Sequence, residues 1–256
     1  MLFPKIIHQT WKTCSLPEAW KESMNQWLAL HPDWSYHFTT DQDNLEFVEK
    51  HFRAYLKTYN ALPHGIQRAD MIRYMYLYHF GGLYSDLDIV PLRNILEFTF
   101  DNYNGEEVFA VNSGNIKGIY TNAFMISKPG SKIWIEMLNH IQNYWKWPFT
   151  IRHLEVMNST GPLAYTKVLN NNLQSVYFLP DNLFVPFSSP EIDEYDCKAE
   201  AIKLGLFTYP IAGNSWHEAD STVLHYVSKC IIPLILVALY VIINKWKTSR
   251  RRNKLT

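Results

Sequence analysis

Residues 67–88 read QRADMIRYMYLYHFGGLYSDLD, and the fold turns on how this stretch divides. Gly65–Phe80 predicts a helix in which Asp70 and Arg73, three residues apart, share one face. Gly81 and Gly82 end it, because glycine takes the left-handed backbone of a helix C-terminus at little steric cost. Beyond them the chain alternates. Leu83, Ser85, Leu87 and Ile89 fall on one side, Tyr84, Asp86 and Asp88 on the other, which predicts a strand with both carboxylates on one face. No Lys or Arg lies beside them in sequence, so they repel each other unless a cation sits between them. A hard divalent ion with oxygen ligands, Mn2+ or Mg2+, suits such a place and commonly bridges to substrate phosphates.

Strands and helices alternate on either side of this stretch. Ile6–Trp11 and Trp34–Phe38 predict strands, separated by a helix with Trp20, Met24, Trp27, Leu28 and His31 on its apolar face. Asp41 is read as the N-cap of a helix carrying Leu45, Val48, Phe52, Tyr55, Leu56 and Tyr59. Val108–Asn112 and Ile119–Ser127 predict strands. Ser131 caps a helix with Trp134, Met137, Leu138, Ile141 and Trp145 inward, stopped by Pro148, and Pro162 suits the first turn of another. Val176–Leu179 and Leu183–Phe187 read as short strands. The pattern predicts an α/β sandwich around a mainly parallel sheet.

Lys plus Arg and Asp plus Glu balance at 24 each, which argues against nucleic acid as a partner. Six of the basic residues lie in the last twelve, so the rest of the chain is acidic to the same extent. Cys14, Cys197 and Cys230 lack the spacing of a metal cluster and read as free thiols, with a Cys14–Cys197 disulfide as the alternative in an oxidising compartment. Asn158-Ser-Thr160 is a glycosylation sequon, meaningful only in a lumenal domain.

Five segments in order carry a resemblance: Pro4-Lys-Ile-Ile-His-Gln-Thr-Trp11, the stretch quoted above, Asn122-Ala-Phe-Met-Ile-Ser-Lys-Pro-Gly130, Ser159-Thr-Gly-Pro162 and Gly213-Asn-Ser-Trp-His217. Together they resemble the DxD-containing glycosyltransferases of the initiating mannosyltransferase and inositol-phosphorylceramide mannosyltransferase type. The resemblance implies a GT-A-like nucleotide-sugar-binding fold over residues 1–222. It implies that Asp88 ligates the metal directly, while Asp86 meets the donor ribose or sugar and the metal less directly. Arg73 and Asp70 then read the donor sugar; on the residues alone they are equally an intrahelical ion pair worth about 0.3 kcal/mol. Arg68 has a weaker claim. His8, Gln9 and Thr10, at the end of the first strand, lie where open parallel sheets bind ligands, and the resemblance gives that corner the base and ribose. Asn122 is a candidate sugar contact or a turn residue. Ser215 and Trp216 belong to a segment that, by the resemblance, closes the donor and leaving-group site, with Trp216 near the chemistry or equally a core aromatic, and His217 a candidate metal ligand or a structural histidine. The family often has a histidine pair upstream of the Ser-Trp, where this chain has Thr208 and Tyr209.

Cys230–Ile243 carries no charge over fourteen residues. At 1.5 Å per residue this run covers only about 21 Å. With Val223–Val227 added and Lys229 snorkelling, one membrane helix is read over 224–246, within a segment 223–247, followed by a basic tail 248–256. A core helix of the domain is the alternative. The positive-inside rule places the tail in the cytosol and the domain in the ER or Golgi lumen. Met1–Lys5 shows no targeting segment, which by itself favours a cytosolic domain.

These readings combine into an expectation: a membrane-anchored, metal-dependent, retaining transferase moving a hexose from GDP-mannose to a lipid or glycan hydroxyl, a sphingolipid foremost. The enzyme rival uses a UDP-sugar, galactose or N-acetylglucosamine, on glycoprotein or glycolipid. The rival from another class is a silent membrane partner of a transferase, a regulatory subunit.

Overall fold

The structure is a computed structural model, and it describes residues 3–113, 116–144, 151–180, 183–184 and 197–211. The chain groups into two units, Met1–Thr150 with Leu154–Asn214, and Ile151–His153 with Ser215–Thr256; the fold below is that of the first.

Six strands form the central sheet: β1 (Ile6–Thr10), β2 (Ser35–Thr39), β3 (Gly82–Ser85), β5 (Val108–Ala110), β8 (Phe124–Ser127) and β9 (Val176–Phe178), in the order β2-β1-β3-β8-β5-β9. All run the same way except β8, which is antiparallel to both β3 and β5. The sheet is therefore mixed. A parallel neighbour needs a long crossover; β5 and β8 lie close enough in sequence that the chain returns antiparallel instead.

Period-two alternation splits the core between the two sheet faces. Tyr84, Met125, Val108, Ala110 and Val176 pack against α4 (Gly65–Phe80), α5 (Lys132–Gln142) and α7 (Pro162–Asn170). Ile7, Leu83, Phe109, Phe124 and Ile126 pack on the other side with Trp27 of α1 (Glu18–Leu30), Phe3, Phe184 and Phe207.

Helix α4 has the predicted bounds, and Gly81 closes it at φ +66° with its amide bonded to Leu77 O. At Gly82, φ is +89° and an added Cβ would lie 2.5 Å from Ile6 O. Only glycine lets β1 and β3 approach this closely.

Elsewhere the predicted elements shift. Thr40, not Asp41, caps α2 (Asp41–His51), forming a capping box with Asp43. The single helix expected through Tyr59 is broken at Phe52, which leaves the helical backbone (φ −130°, ψ 39°), and resumes as a 3-10 turn Arg53–Tyr55 and α3 (Leu56–Ala61). Leu28 points outward from α1. The strand expected over Ile119–Ser127 is two: β7 (Ile116–Tyr120), paired with β6 (Asn112–Ser113), and β8. Ser131 stands at the N-cap of α5, but its hydroxyl makes no capping bond. Helices α6 (Arg152–Ser159) and α8 (Cys197–Leu204) and strand β10 (Thr208–Pro210) were not read from the sequence. Leu183 and Phe184 lie in a turn, and the rest of that expected strand falls outside the described residues, as do Trp145, Pro148 and Cys230. Cys14 is exposed and Cys197 buried, both as free thiols. Among the described residues no helix is long and apolar enough to cross a membrane; the expected span 224–246 and the basic tail lie outside them.

Candidate active site

The two carboxylates do not lie on a continuous strand. β3 ends at Ser85, Asp86 leaves the sheet, Leu87 and Asp88 make a turn, and β4 (Ile89–Pro91) joins a separate two-stranded sheet with β10. The backbone causes the break. Asp86 N donates to Ala123 O (2.8 Å), and Ile89 N turns back to Asp86 O (3.1 Å). Leu87 is buried and pins the turn. The pair thus sits at the carboxyl end of β3, beside the end of β1, where open α/β sheets hold ligands.

The cation beside Asp86 comes from 13 residues upstream in sequence. Arg73 Nη2 lies 3.1 Å from Asp86 Oδ1 and 3.3 Å from Asp70 Oδ1. Its Nη1 donates to Asn122 O (2.8 Å) and, more weakly, to Asp86 Oδ2 (3.4 Å), and its Nε donates to Ala69 O (3.3 Å). The guanidinium also lies over the Tyr84 ring, 4.6 Å from its centroid. Its donors are directed to protein atoms, and Arg73 is only 2% exposed. Burial opposes its charge, but Asp86, Tyr84 and Asp70 outweigh that and hold its pKa above the ordinary value.

Asp70 is 3% exposed. Its Oδ1 accepts from Asn122 Nδ2 (2.9 Å) and its Oδ2 from Thr160 Oγ1 (2.7 Å). Burial pushes its pKa up to about 6 against the pull of Arg73 and Thr160. Asn122 Nδ2 also donates to Tyr74 OH (2.8 Å), which in turn donates to Thr160 O (2.7 Å).

Asp86 is the more accessible acid of this network, its side chain 29% exposed, with Tyr84 OH donating to its Oδ1 (2.8 Å). Asp88 differs. Among the described residues no basic side chain contacts it, and burial together with the charge of Asp86 raises its pKa to about 7. Its carbonyl accepts from Ile211 N (2.8 Å), just beyond β10.

The first-strand residues separate by face. His8 turns toward α4, stacked on Tyr76 and bonded through Nε2 to Gly81 O (2.9 Å). Burial lowers its pKa to about 4. Gln9 turns the other way; its amide donates to Asp86 O (3.3 Å) and Ser23 Oγ (3.2 Å), and it accepts from Tyr36 OH (2.5 Å). Thr10 donates to Thr39 O and accepts from Asn44. Arg68 donates to Leu62 O (2.8 Å) and faces Asp41 rather than joining Arg73. The structure therefore brings Asp70, Arg73, Asp86 and Asn122 into one network and places His8, Thr10 and Arg68 elsewhere. Ser215, Trp216 and His217 lie outside the described residues. Tyr84, Tyr74 and Thr160 were not singled out as site residues. Thr160 lay within a quoted motif, but only the fold brings it to Asp70.

The site accords with a hard cation. Asp88 carries a carboxylate whose ionisation is disfavoured without a positive neighbour, and Asp86 retains an oxygen, Oδ2, with only a long contact to Arg73. Among the described residues no cluster of three His, Cys, Asp or Glu side chains completes a metal site.

The comparisons agree with this geometry. Residues 17–110 match the family described as a glycosyltransferase sugar-binding region containing a DXD motif. Over its whole length the chain is 29% identical to 65% of the mannosyl phosphorylinositol ceramide synthase SUR1 of Saccharomyces cerevisiae. Inositol phosphoceramide mannosyltransferase 3 of Schizosaccharomyces pombe is 31% identical over 88% of this chain and 58% of its own. The chain thus spans less than two thirds of the length of these relatives. Among solved structures, the PaToxG glycosyltransferase superposes with a TM-score of 0.52 at 19% identity, covering 79% of this chain and 76% of its own. The ligand-free glycosyltransferase domain of the YGT toxin gives 0.50 at 9%, covering 69% and 80%. These likenesses give a GT-A-like fold. With the matched region, and with relatives that align over most or all of the sequence, they show what the chain is similar to: glycosyltransferases whose sugar-binding region contains a DXD motif.

Proposed function

We propose that this chain is the catalytic part of a metal-dependent mannosyltransferase that moves mannose from GDP-mannose to a hydroxyl of a sphingolipid such as inositol phosphorylceramide. The observation that carries this is the unequal carboxylate pair at the end of β3, with Asp86 neutralised by Arg73 and Asp88 left open. The names of the aligned relatives support the sugar and the acceptor.

Asp88, with Asp86 beside it, would hold Mn2+ or Mg2+. A divalent ion there supplies Lewis-acid neutralisation of the charge that develops on a departing diphosphate. The chain's own residues do the rest. Arg73 and Tyr84 fix one face of Asp86, and Gln9 holds its carbonyl. Asp70 and Asn122 hold Arg73 in turn. Leu87 and the Ile211 amide fix the turn that carries Asp88. This preorganisation means the site need not rearrange as the bond breaks.

Retention of the anomeric configuration is part of the proposal and rests on the family resemblance. Among the described residues Asp70 is engaged by Thr160 and Asn122, and Asp86 and Asp88 are given to the cation, so a retaining reaction here would proceed by attack from the face of the leaving group. Anchorage by residues 224–246, with a lumenal domain, is part of the same proposal and rests on the sequence. The test is transfer by the purified full chain with Mn2+, across GDP-mannose, UDP-galactose, UDP-glucose and UDP-N-acetylglucosamine, onto inositol phosphorylceramide in detergent. Turnover of GDP-mannose to an α-mannosyl lipid supports the proposal, and selective use of a UDP-sugar refutes it.

A further inference from the structure

We infer that Thr160 is a positioning residue for sugar transfer: its hydroxyl sets the orientation of Asp70, and through Arg73 the placement of Asp86. The inference rests on the mannosyltransferase reading of the site.

Thr160 is fully buried at the elbow between α6 and α7. The elbow is rigid. Thr160 N and Gly161 N both donate to Val156 O (3.1 and 2.8 Å), and Pro162 opens α7. The neighbouring Ser159 Oγ accepts from Gln67 Nε2 of α4 (2.8 Å), so the elbow is tied to the helix that carries Asp70 and Arg73. From this fixed point Thr160 makes two bonds into the site. Its hydroxyl donates to Asp70 Oδ2, and its carbonyl accepts from Tyr74 OH. Asn122 closes the ring by donating to both Asp70 Oδ1 and Tyr74 OH.

The consequence follows from the softness of a carboxylate. Its terminal torsion is broad and two-fold, so one anchored oxygen does not define the plane. With Oδ2 held by Thr160, Oδ1 is aimed at Arg73 Nη2. Arg73 then divides its Nη2 between Asp70 and Asp86, and any rotation of Asp70 moves the guanidinium relative to the carboxylate beside the metal position.

The test uses the purified full chain with Mn2+ and GDP-mannose. Thr160→Val keeps the shape and removes the hydroxyl; Thr160→Ser keeps the hydroxyl and removes the methyl. A lost bond to a charged group predicts a fall in kcat of roughly 10- to 100-fold for Thr160→Val. The Ser variant should stay within about threefold of wild type, because the charge-assisted bond is retained. In an Asp70→Asn background, Thr160→Val should add less than about twofold, as expected for two groups acting through one contact. Wild-type kcat in the Val variant, or losses that multiply in the double variant, would overturn the inference. So would a Ser variant impaired as much as Val, which would mark Thr160 as packing.

A donor-independent arm separates this idea from the functional reading. Arg73 guanidinium protons, followed by NMR without donor, should exchange at least about tenfold faster in Thr160→Val and not in Thr160→Ser, since the buried bond that restrains them is weakened. If wild type turns over no nucleotide sugar, the mannosyltransferase reading fails, and this arm still decides the role of Thr160. If the Val variant does not fold, Thr160→Ala, which leaves room for water, enters the same comparison.

Discussion

Arg73→Lys keeps a positive charge in the site and removes the fork. The guanidinium offers five donors, and the structure directs them to Ala69 O, Asn122 O, Asp70 and Asp86. An ammonium offers three at a single point on a flexible stem that reaches less far, so it cannot serve all four partners. At least one contact to a buried carboxylate goes. With each such bond worth about 1.5–3 kcal/mol, the loss is about 3 kcal/mol. For a domain of this size that corresponds to a fall in Tm of roughly 6–12 °C. Thermal unfolding by circular dichroism reads this directly. Transfer should fall at least about 100-fold, because Asp86 is no longer clamped where charge develops. Binding of GDP with Mn2+, by calorimetry, should weaken less than turnover of the intact donor. A Tm within about 2 °C of wild type together with near-normal transfer would refute the clamp, since the lost bonds would then be worth under about 1 kcal/mol. Equal weakening of GDP and donor would instead mean that the clamp on Asp86 serves nucleotide binding rather than the transfer step.

Other outcomes follow from single features. Asp88→Asn should abolish most Mn2+-dependent turnover yet melt at or above the wild-type temperature near pH 8, because it removes a carboxylate whose charge burial disfavours; full activity at ordinary Mn2+ would count against Asp88 as a ligand. His8 has a folded pKa of about 4 against 6.5 unfolded, so the unfolded chain takes up its proton first as pH falls. That stability is intact above pH 6.5 and is lost between 6.5 and 4, by about 3 kcal/mol. His8→Phe should flatten that part of the pH–stability curve measured by urea unfolding, and an unchanged slope would contradict the buried neutral imidazole. Gly82→Ala forces a methyl against Ile6 O in a backbone that favours glycine, and should cost several kcal/mol, at least about 2; a variant that unfolds at the wild-type urea concentration would be inconsistent with the close approach of β1 and β3.

How much of this was legible in the sequence depended on the range of the interaction. Helix α4 and its end were readable because the signals are local: an aromatic-rich helical run followed by Gly81 and Gly82. The strand reading of Tyr84, Asp86 and Asp88 followed an alternation that continues through the turn, and nothing in the residue order reveals that Asp86 N bonds Ala123 O. The break at Phe52 was hidden because the 3-10 turn and α3 continue the apolar spacing. Most of all, the absence of Lys or Arg near the carboxylates in sequence said nothing about space. Arg73 reaches Asp86 across the junction of a helix and a strand, and Thr160 reaches Asp70 from 90 residues away. The resemblance names Asp70, Arg73 and Asp86 among several donor-site candidates, and Asn122 is a candidate sugar contact or a turn residue; that these four bond one another is visible only in the fold.

The turn that carries the acidic pair has a fixed length. Ser85 is held in one sheet by its pairing with Phe124, and Ile89 in another by its pairing with Pro210. Asp86, Leu87 and Asp88 are all that joins them. An insertion or deletion of one residue here cannot be absorbed as in an ordinary surface loop, for it must either slip a strand by one register and turn every side chain to the opposite face, or break the bond from Ile211 to Asp88. The three-residue spacing of the motif is therefore a mechanical gauge between two sheets. In a library of length variants screened for soluble folded protein, Asp88 should tolerate replacement by Asn, while residues 86–88 should reject any change in their number.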